Sequence, residues 1–396
     1  MKTVKLKDLV DFSNGYAFKS TDYVEYSNTV NCRMSNIRPD GSFDVEYNIK
    51  YLPDEFAEKY KGFILNDGDI IIAMTDMAGD PKILGVPTLV NTKGYSVLMN
   101  QRVGKLTLKS KDIHPTYLKY YLMSNYARNY FKSFAGGGVQ LNIGQKEILN
   151  IDIKLCDIKE QVEICNVLDK INVLIQQNSK QIEKLDQLIK SRFIEMFGTI
   201  HDNKFGYEIK TLQDVCEQIK DGTHQTPTYT DDSVNGYKFL SSKDVTTGQI
   251  DWTHLKYIPE ELHNELYARI APKKGDILLA KNGTTGIAAI VDRDEIFDIY
   301  VSLALLRPIE INSVYLWAAI NSVETKQQFD SSLKGIGVPN LHLGEIKKAR
   351  IIVPPIELQK QFATFVEQTD KSKLAIQESL AELETLKKAL MQKYFG

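Results

Sequence analysis

The 396 residues are enough for two or three domains, and 43% apolar with 25% charged residues is ordinary for a folded protein. A formal net charge of -2 excludes a strongly basic chain, so nucleic-acid binding would need a local basic face or charge from partners. The four cysteines form no Cys-x-x-Cys pair, and no apolar run approaches the roughly 20 residues of a membrane span. We expect a cytoplasmic protein with reduced thiols, no zinc site, no signal peptide and no membrane contact.

The first part of the chain, residues 1–155, is predicted to form a mixed α/β domain. Apolar runs at residues 69–74 and 148–153 predict strands, and the turn-rich segment 38–42 predicts a hairpin or loop. Residues 115–134 predict one helix, because a proline suits the first turn and tyrosines follow at helical spacing.

Residues 156–198 predict a long helix. Apolar side chains recur every three or four positions with polar residues between them, as in the heptads of a coiled coil. A helix of about forty residues is roughly 60 Å long, too long to bury its apolar stripe within one domain of this size. Its end at Phe197 and Gly198 is an aromatic-glycine step that suits a helix C-terminus. The residues expected to pair are Ile171, Ile175, Ile182, Leu185 and Ile189.

The second half of the chain repeats the first. Gln161 returns as Gln359, and Phe197 returns as Phe395, both at an offset of 198 residues, which is half of the 396. Residues 354–396 therefore predict a second long helix. Its residues expected to pair are Ile376, Leu380, Leu383, Leu386 and Leu390.

The globular parts repeat more loosely. Gly68 and Asp69 return as Gly275 and Asp276, at an offset of 207 residues, so residues 199–353 predict a second α/β domain with small insertions and deletions. The helices kept their register while the globular parts drifted, which favours helices that must fit each other and domains that read different targets. The alternative is two relaxed copies with no differentiated role.

The fold class that follows is α/β (α+β) domains in tandem, each followed by a long helix. We expect the two helices to pair as an antiparallel coiled coil within a pseudo-twofold internal repeat. Two other arrangements stay open, in which each helix packs on its own domain or the stripes pair between chains. A duplicated unit has near-twofold symmetry, and DNA is the commonest target with two related halves.

No catalytic site is evident in the sequence. Residues 134–138 match the Phe-x-Gly-x-Gly loop that holds S-adenosylmethionine in many methyltransferases, but they follow a predicted helix where such a loop follows a strand. The absence of a Gly-x-x-x-x-Gly-Lys-Ser/Thr loop and of a His-Glu-x-x-His pattern disfavours ATP hydrolysis and a metal site. Asp69 and Asp276 precede strands in matched turns, where a backbone cap is favoured over a nuclease fragment. We expect no catalytic, cofactor-binding or metal-binding residue.

Polar loops remain as candidates for recognition. Residues 281–286 carry lysine, amide and hydroxyl groups of the kind that contact base edges and phosphates, and the matched residues 75–80 differ from them in chemistry. Residues 135–142 and 334–340 form a second pair of glycine-containing loops, whose backbone amides can approach phosphate or simply connect two elements. The candidate DNA-binding residues are Thr75, Lys132, Gln140, Asn142, Lys281, Asn282, Thr284, Thr285, Lys334 and Asn340.

Basic residues also interleave with the tyrosines of the first domain. They are Arg102, Lys105, Lys109, Lys119, Arg128 and Lys132. Two interpretations stay open: a surface that follows the phosphates of a nucleic acid, or a solvated helix face whose tyrosines lie in the core.

Each half resembles the repeat of a type I restriction-modification specificity subunit. The features are the run at residues 275–286, the stretch from Gly335 through Pro354-Pro355 to Gln359, and the long helix that ends in Phe-Gly. The pattern covers essentially the whole chain, twice, in family order. The first copy departs from it, since Cys156-Asp157 replaces the double proline and residues 74–79 replace the Asn-Gly-Thr-Thr-Gly loop.

The resemblance implies a specificity subunit that catalyses nothing and binds no cofactor. Two target recognition domains would each read half of a bipartite sequence in double-stranded DNA, and the paired helices would set the gap. Two modification subunits would methylate adenine at N6 with S-adenosylmethionine, and restriction subunits would add ATP- and Mg-dependent translocation and cleavage. Two alternatives stay open: the specificity subunit of a related fused or two-subunit restriction-methylation enzyme, and a protein-assembly scaffold that does not bind DNA.

Overall fold

The computed structural model describes residues 2–333 and 340–396. The chain divides into two compact units, one of Met1–Asn178 with Ser379–Gly396 and the other of Ser179–Glu378. Each unit contains one α/β domain together with a part of each long helix.

The elements up to the first long helix are, in chain order, β1 (Lys2–Lys5), β2 (Val10–Asn14), β3 (Thr29–Cys32), β4 (Tyr51–Leu52), α1 (Glu55–Lys59), β5 (Ile64–Leu65), β6 (Ile70–Ala73), β7 (Thr75–Met77), β8 (Pro87–Leu89), β9 (Ser96–Met99), β10 (Val103–Leu108), α2 (Pro115–Met123), α3 (Asn125–Phe134), β11 (Gln140–Asn142), α4 (Gln145–Leu149), β12 (Asp152–Leu155) and α5 (Ile158–Phe197). The later elements are β13 (Glu208–Thr211), β14 (Cys216–Asp221), β15 (Tyr237–Leu240), β16 (Lys256–Ile258), α6 (Glu260–Arg269), β17 (Ile277–Ala280), β18 (Ala288–Ile290), β19 (Phe297–Ile299), β20 (Leu303–Pro308), α7 (Ser313–Ile320), α8 (Val323–Ser332), α9 (Leu343–Lys348), β21 (Arg350–Val353) and α10 (Ile356–Phe395).

The first domain is built on a central antiparallel sheet of order β2-β10-β6-β8. A second sheet has the order β4-β3-β9-β5, in which β3 and β9 run parallel. Successive side chains of β6 point to opposite faces. Ile70 and Ile72 pack in the core with the helices, whereas Ile71 and Ala73 pack in the core with the second sheet. Burial on both faces explains why this strand is an unbroken apolar run.

The second domain repeats this topology. Its central sheet has the order β14-β20-β17-β18, and its second sheet has the order β16-β15-β19, with β15 and β19 parallel. Ile277 and Leu279 of β17 pack in the core with the helices, and Leu278 and Ala280 pack in the core with the second sheet. The duplicated sequence therefore forms the same arrangement of strands twice, except that the edge strand β5 of the first domain has no counterpart among the described strands of the second.

Two predictions about the first domain were wrong in detail. Residues 115–134 form two helices, because Ser124 has extended backbone angles and its hydroxyl caps α3 by accepting from the amide of Ala127. Residues 148–153 do not form one strand: Ile148 lies in α4, and the strand β12 begins at Asp152. Ile148 in α4 and Ile151 between α4 and β12 are both buried in one core, so an apolar run that resembled a single strand spans the end of a short helix and the start of a strand.

The strand predicted at residues 69–74 is confirmed as β6, and the predicted loop 38–42 is closed by a hydrogen bond from the amide of Arg38 to the carbonyl of Ser42. The two long helices are confirmed, each with 40 residues. At the end of α5, Gly198 has φ 73°, and its amide donates to the carbonyl of Ile194. This left-handed position suits glycine and terminates the helix.

A matched pair of buried glutamines holds each long helix to its own domain. Gln161 is 0% exposed and Gln359 is 1% exposed. The side-chain oxygen of Gln161 accepts from the amide of His114 at 2.8 Å, and its amide nitrogen donates to the carbonyls of Asp112 and Cys156. Gln359 accepts from the amide of Asn312 at 2.9 Å in the same way. The strict repetition of this residue therefore has a structural cause.

Segments of both long helices contact each other inside each unit. In the first unit, Asn178 donates to the hydroxyl of Ser379 at 3.2 Å, and the ring of Phe395 packs in one core with Ile164 and Leu168. Within this unit an early residue of α5 is therefore near a late residue of α10. Among the residues predicted to pair, Ile171 and Ile189 are buried, whereas Leu386 is 47% exposed. The intermediate ones are Ile175, Ile182, Leu185, Ile376, Leu380, Leu383 and Leu390.

The second unit has its own set of helix contacts. The ammonium group of Lys373 donates to the carboxylate of Asp186 at 2.6 Å. The ring of Phe362 lies 5.5 Å from that of Phe193 and 5.6 Å from that of Phe197, centroid to centroid. These contacts also join late residues of α5 to early residues of α10, so the segments run in opposite directions within this unit.

Candidate nucleic-acid interface

Polar side chains of the second domain meet where two central strands end. Asp221 is the last residue of β14, and Lys281 directly follows β17. Asn282 and Asn340 form an antiparallel β-bridge beside them. A cavity of about 420 Å³ lies here, and its polar lining consists of Asp221, His224, Lys281, Asn282, Asn340 and His342.

One carboxylate organises this cavity. Oδ2 of Asp221 is 3.0 Å from Nζ of Lys281 and 3.0 Å from Nε2 of His224. Burial raises the pKa of Asp221, but hydrogen bonds and charge from Lys281 and His224 outweigh burial and hold that pKa below its usual value. The carboxylate therefore stays ionised at neutral pH, and the lysine ammonium is engaged with it.

The predicted contact residues of the second domain differ in their access to solvent. Lys281 is 5% exposed, so its ammonium group is not presented to a ligand in this structure. Thr284 is exposed, and Asn282, Thr285 and Asn340 are half-buried at the same edge. Their amide and hydroxyl groups are of the kind that forms hydrogen bonds to a base edge or a phosphate.

Lys334, which was also predicted to contact DNA, lies outside the described residues. The same holds for most of the predicted loop 334–340, of which the structure describes Asn340.

The corresponding edge of the first domain keeps the same backbone pairing, with Thr75 and Asn142 at the places of Asn282 and Asn340, but carries different side chains around it. Strands β7 and β11 form a two-stranded antiparallel ribbon in which Thr75 pairs with Asn142 and Met77 pairs with Gln140. The hydroxyl of Thr75 is buried and donates to Oδ1 of Asn142 at 2.8 Å. Lys132 at the end of α3 is exposed, as is Asn142, whereas Gln140 is half-buried. The predicted residues of this domain thus meet on one ribbon, except for Lys132.

An aspartate holds the loop that follows β7. Asp76 is buried and accepts from the amide of Leu84 at 2.9 Å and from that of Met77 at 2.8 Å. The amide of Ile83 donates to the same side chain. This carboxylate is used inside the domain, so it fixes the loop rather than repelling a nucleic acid.

The basic residues that interleave with tyrosines are largely used within the first domain. Lys105 pairs with Asp69 at 2.6 Å, and Arg128 donates to the carbonyl of Lys82 at 2.9 Å. The aromatic rings of Tyr117 and Tyr121 lie in the core. These contacts favour the interpretation in which the tyrosines form the core and the cations support the surface.

The matched aspartates before the central strands are backbone caps. Asp69 accepts from the amide of Asn66 at 2.8 Å, and Asp276 accepts from the amide of Lys273 at 2.8 Å. Arg307 also donates two hydrogen bonds to Asp276, at 2.9 and 2.7 Å. Both carboxylates are thus engaged in folding contacts, in agreement with the cap that was favoured from the sequence.

Within residues 2–333 and 340–396, no group of three or more His, Cys, Asp or Glu side chains could hold a metal ion. No helix of those residues is long and apolar enough to cross a membrane. All four cysteines are free, and burial raises the pKa of the Cys32, Cys165 and Cys216 thiols to about 12.

Sequence reasoning missed the residues that organise the second domain's cavity, namely Asp221, His224 and His342. The repeat carries a signal for the first of them once its strands are in register. The strand pairings place Asp221 on Asn14 and Lys281 on Met74, with an offset one residue longer than that of Leu6 and Leu212 because of a register shift between Cys216 and Gln218. A neutral pair exchanged for an oppositely charged pair indicates that the two positions touch, as the structure shows for Asp221 and Lys281.

Comparisons with known proteins place both halves in one family. The model of the type I restriction modification DNA specificity domain matches residues 1–187 and again residues 205–386. The two matches correspond to the duplicated topology described above. The chain belongs to this family.

Curated relatives include two specificity subunits. The type I restriction enzyme MjaVIII specificity subunit of Methanocaldococcus jannaschii is 30% identical over 190 residues, which is 48% of this chain and 43% of that protein. The alignment thus spans less than half of that relative. The type I restriction enzyme EcoBI specificity subunit of Escherichia coli is 22% identical over 422 residues, 99% of this chain and 85% of that protein.

A solved structure shares the fold over the full length. The crystal structure of the type I restriction-modification system S subunit from M. genitalium superposes with a TM-score of 0.59 at 15% identity, covering 100% of this chain and 96% of that one. At this identity the similarity concerns the fold alone.

Proposed function

We propose that this chain is the DNA specificity subunit of a type I restriction-modification complex. Each α/β domain reads one half of a bipartite target in double-stranded DNA. The observation that carries the proposal is a scaffold that occurs twice with different chemistry at the same edge. The paired asparagine, Asn142 or Asn340, is common to both domains, but the first domain has Thr75 where the second has Asn282, and only the second has a cavity with His224. Two different half-sites require this kind of difference.

The distribution of charge supports a reader that works with partners. The net charge is -2, and Lys105, Arg128 and Lys281 are engaged in contacts within the domains. Phosphate contacts supply most of the affinity of DNA-binding proteins. This chain would therefore contribute base contacts through amides and hydroxyls, while two modification subunits would contribute much of the positive surface.

The long helices would act as the spacer between the half-sites. In this proposal residues 1–155 and 199–353 are the recognition domains, and residues 156–198 and 354–396 pair as an antiparallel coiled coil. The support is the direction of the helix contacts inside each unit, such as Asp186 with Lys373. The duplication supports a pseudo-twofold relation between the two recognition domains.

Catalysis would belong to the partner subunits. Asp69, Asp76 and Asp276 are carboxylates of the kind used in acid-base or metal chemistry, but here they accept hydrogen bonds from backbone amides. In this proposal the chain binds no cofactor. The modification subunits would use S-adenosylmethionine to methylate adenine at N6, and restriction subunits would use ATP and Mg for translocation and cleavage.

The test is to co-express the chain with a modification subunit from its own genome and to map N6-methyladenine across the host DNA by single-molecule sequencing. A bipartite motif with a fixed gap is expected. The control omits this chain and keeps the modification subunit. If the assembled complex binds S-adenosylmethionine and still adds no methylation that depends on this chain, the proposal is wrong.

A further inference from the structure

We propose that His224 contacts a base edge in the second half-site and that Asp221 and Lys281 position its ring. The inference rests on the proposed function and names a residue that determines specificity in that site. The group recognised would be an amino group in the major groove, N6 of adenine or N4 of cytosine.

An ion pair between a buried lysine and a half-buried aspartate holds the imidazole ring in position. The side chain of Lys281 is 7% exposed and that of Asp221 is 16% exposed, whereas that of His224 is 68% exposed. Nζ of Lys281 and Nε2 of His224 each approach the same carboxylate oxygen at 3.0 Å. Burying such a pair costs desolvation and contributes little net stability. Its presence at the edge of the domain therefore favours a role in orienting the histidine.

The carboxylate also determines which ring nitrogen carries a proton. An ionised carboxylate only accepts hydrogen bonds, so Nε2 of His224 must donate to Asp221. In the neutral ring, Nδ1 is then an acceptor. Asn282 and Asn340 line the same cavity. An acceptor at this exposed place complements the amino groups of adenine and cytosine, which are the major-groove donors.

The first domain indicates that the scaffold does not require this arrangement. Asn14 occupies the place of Asp221, because each is the last residue of its strand and pairs with an equivalent residue, Gly104 or Ala304. Asn14 is exposed and makes only a 3.4 Å hydrogen bond to Gln145. The same fold is thus stable with a neutral side chain at this position.

The positions of His224 and Lys281 also carry different residues in the first domain. The amide of Met74 donates to the carbonyl of Arg102, and the amide of Lys281 donates to the carbonyl of Ser302 at the equivalent point. The corresponding residues are Asn14 for Asp221, Ala17 for His224 and Met74 for Lys281. The exchange of all three at once is expected if they form one recognition device.

The experiment uses the full chain in complex with its modification subunit. DNA carrying every single-base change in the mapped motif is assayed for methylation rate and, by fluorescence anisotropy, for binding. His224→Ala should reduce the preference at one adenine or cytosine of the second half-site about tenfold, the loss of one good base contact. Preferences in the first half-site should not change.

The variants that test positioning come from the chain itself. The double substitution Asp221→Asn with Lys281→Met reproduces the first domain and leaves no unpaired buried charge. It should relax the same base position as His224→Ala. Adding His224→Ala to it should cause no further loss, because all three residues act through one ring. A different position or an additive loss would contradict the positioning role.

A matched control is available in the same domain. His254 lies 3.3 Å from Asp251 with the same spacing of three residues, and its side chain is 87% exposed. His254→Ala should leave every base preference unchanged. If the wild-type chain gives no motif, the proposed function fails. If the motif is present but His224→Ala weakens all sequences equally, relaxes a guanine or thymine, or changes nothing, this inference alone is overturned.

Discussion

The two domains share one topology but differ in the polarity of the side chains at matched positions. At the edge of the central sheet the first domain has Met74 and Asn14, where the second has the ion pair of Lys281 and Asp221. The apolar central strand, β6 in the first domain and β17 in the second, is buried on both faces. The comparison indicates that the buried strands define the scaffold, while polar residues around them were exchanged in interacting sets.

A second pair of matched positions shows the same exchange of interacting polar residues for neutral ones. In the second domain Nδ1 of His263 is 2.7 Å from Asp298, and both side chains are buried. Burial raises the pKa of Asp298 to about 6, against the opposing effect of the hydrogen bond from His263. The matched residues of the first domain are Ala57 and Leu98, and Leu98 belongs to an apolar cluster. Here too a pair of neutral residues corresponds to a pair of interacting polar ones.

The largest expected effect comes from exchanging a whole domain. Replacing residues 1–155 by the matching segment of another specificity subunit should replace one half-site completely and leave the other half-site and the gap unchanged. The reason is that each central strand and each polar edge belongs to one domain. Methylation mapping of the hybrid checks this, and a change in both half-sites would show that the domains do not read independently.

The buried His263–Asp298 pair gives the next effect. Asp298→Leu alone should destabilise the second domain by about 3 kcal/mol, because it leaves a buried imidazole without its hydrogen-bond partner. Asp298→Leu with His263→Ala, the pair found in the first domain, should recover part of that loss. Denaturant unfolding of the full chain measures both.

The control for this pair is Glu58→Leu. Its ion pair with Lys61 is largely exposed and should contribute less than about 1 kcal/mol. A double variant that is no more stable than Asp298→Leu would argue against the exchange of interacting pairs.

Replacing either buried glutamine should lower the free energy of unfolding by an intermediate amount. Gln161→Leu removes three hydrogen bonds to backbone groups and should cost about 1–3 kcal/mol. Gln359→Leu should cost a similar or smaller amount in the second domain. Hydrogen exchange at the start of each long helix would report the loss. The exposed Gln187→Leu is the control, and an equal effect there would refute the role of burial.

The smallest expected effect is on stability and comes from the residues that precede the first turns of the helices α2 and α7. Asn312 caps α7 by accepting from the amides of Val314 and Tyr315 at 2.9 and 3.1 Å. Asn312→Ala should therefore lower the free energy of unfolding by about 1 kcal/mol. His114 stands at the matched position and makes no side-chain cap, so His114→Ala should cost less. Thermal unfolding of both variants would reveal the order, and the reverse order would contradict it.

Much of the fold was predictable because it depends on local patterns. The apolar run of β6, the 40-residue helices and the cap at Asp69 follow from periodicity and turn chemistry. The break at Ser124 was missed, since its capping bond interrupts a pattern that otherwise continues on both sides. Ile148 was assigned to a strand because short apolar runs fit both periods.

The candidate site was less predictable because it depends on contacts between distant segments. Lys281 looked like a phosphate contact in the sequence, but its ion pair with Asp221 joins residues 60 positions apart. Thr75 looked accessible, yet its hydroxyl is buried against Asn142. His224 carried no motif of its own, and only the comparison of the two repeats distinguishes it from other exposed histidines.

The central claim is that the two long helices set the distance between two independent half-sites. The most direct test inserts one heptad, about 10 Å of rise, into each helix, directly after Asn178 in α5 and directly before Ser379 in α10, two residues that face each other and are joined by a hydrogen bond. Methylation mapping should then give the same two half-sites with a longer gap. An unchanged gap, or altered half-sites in a complex that still methylates, would contradict this account.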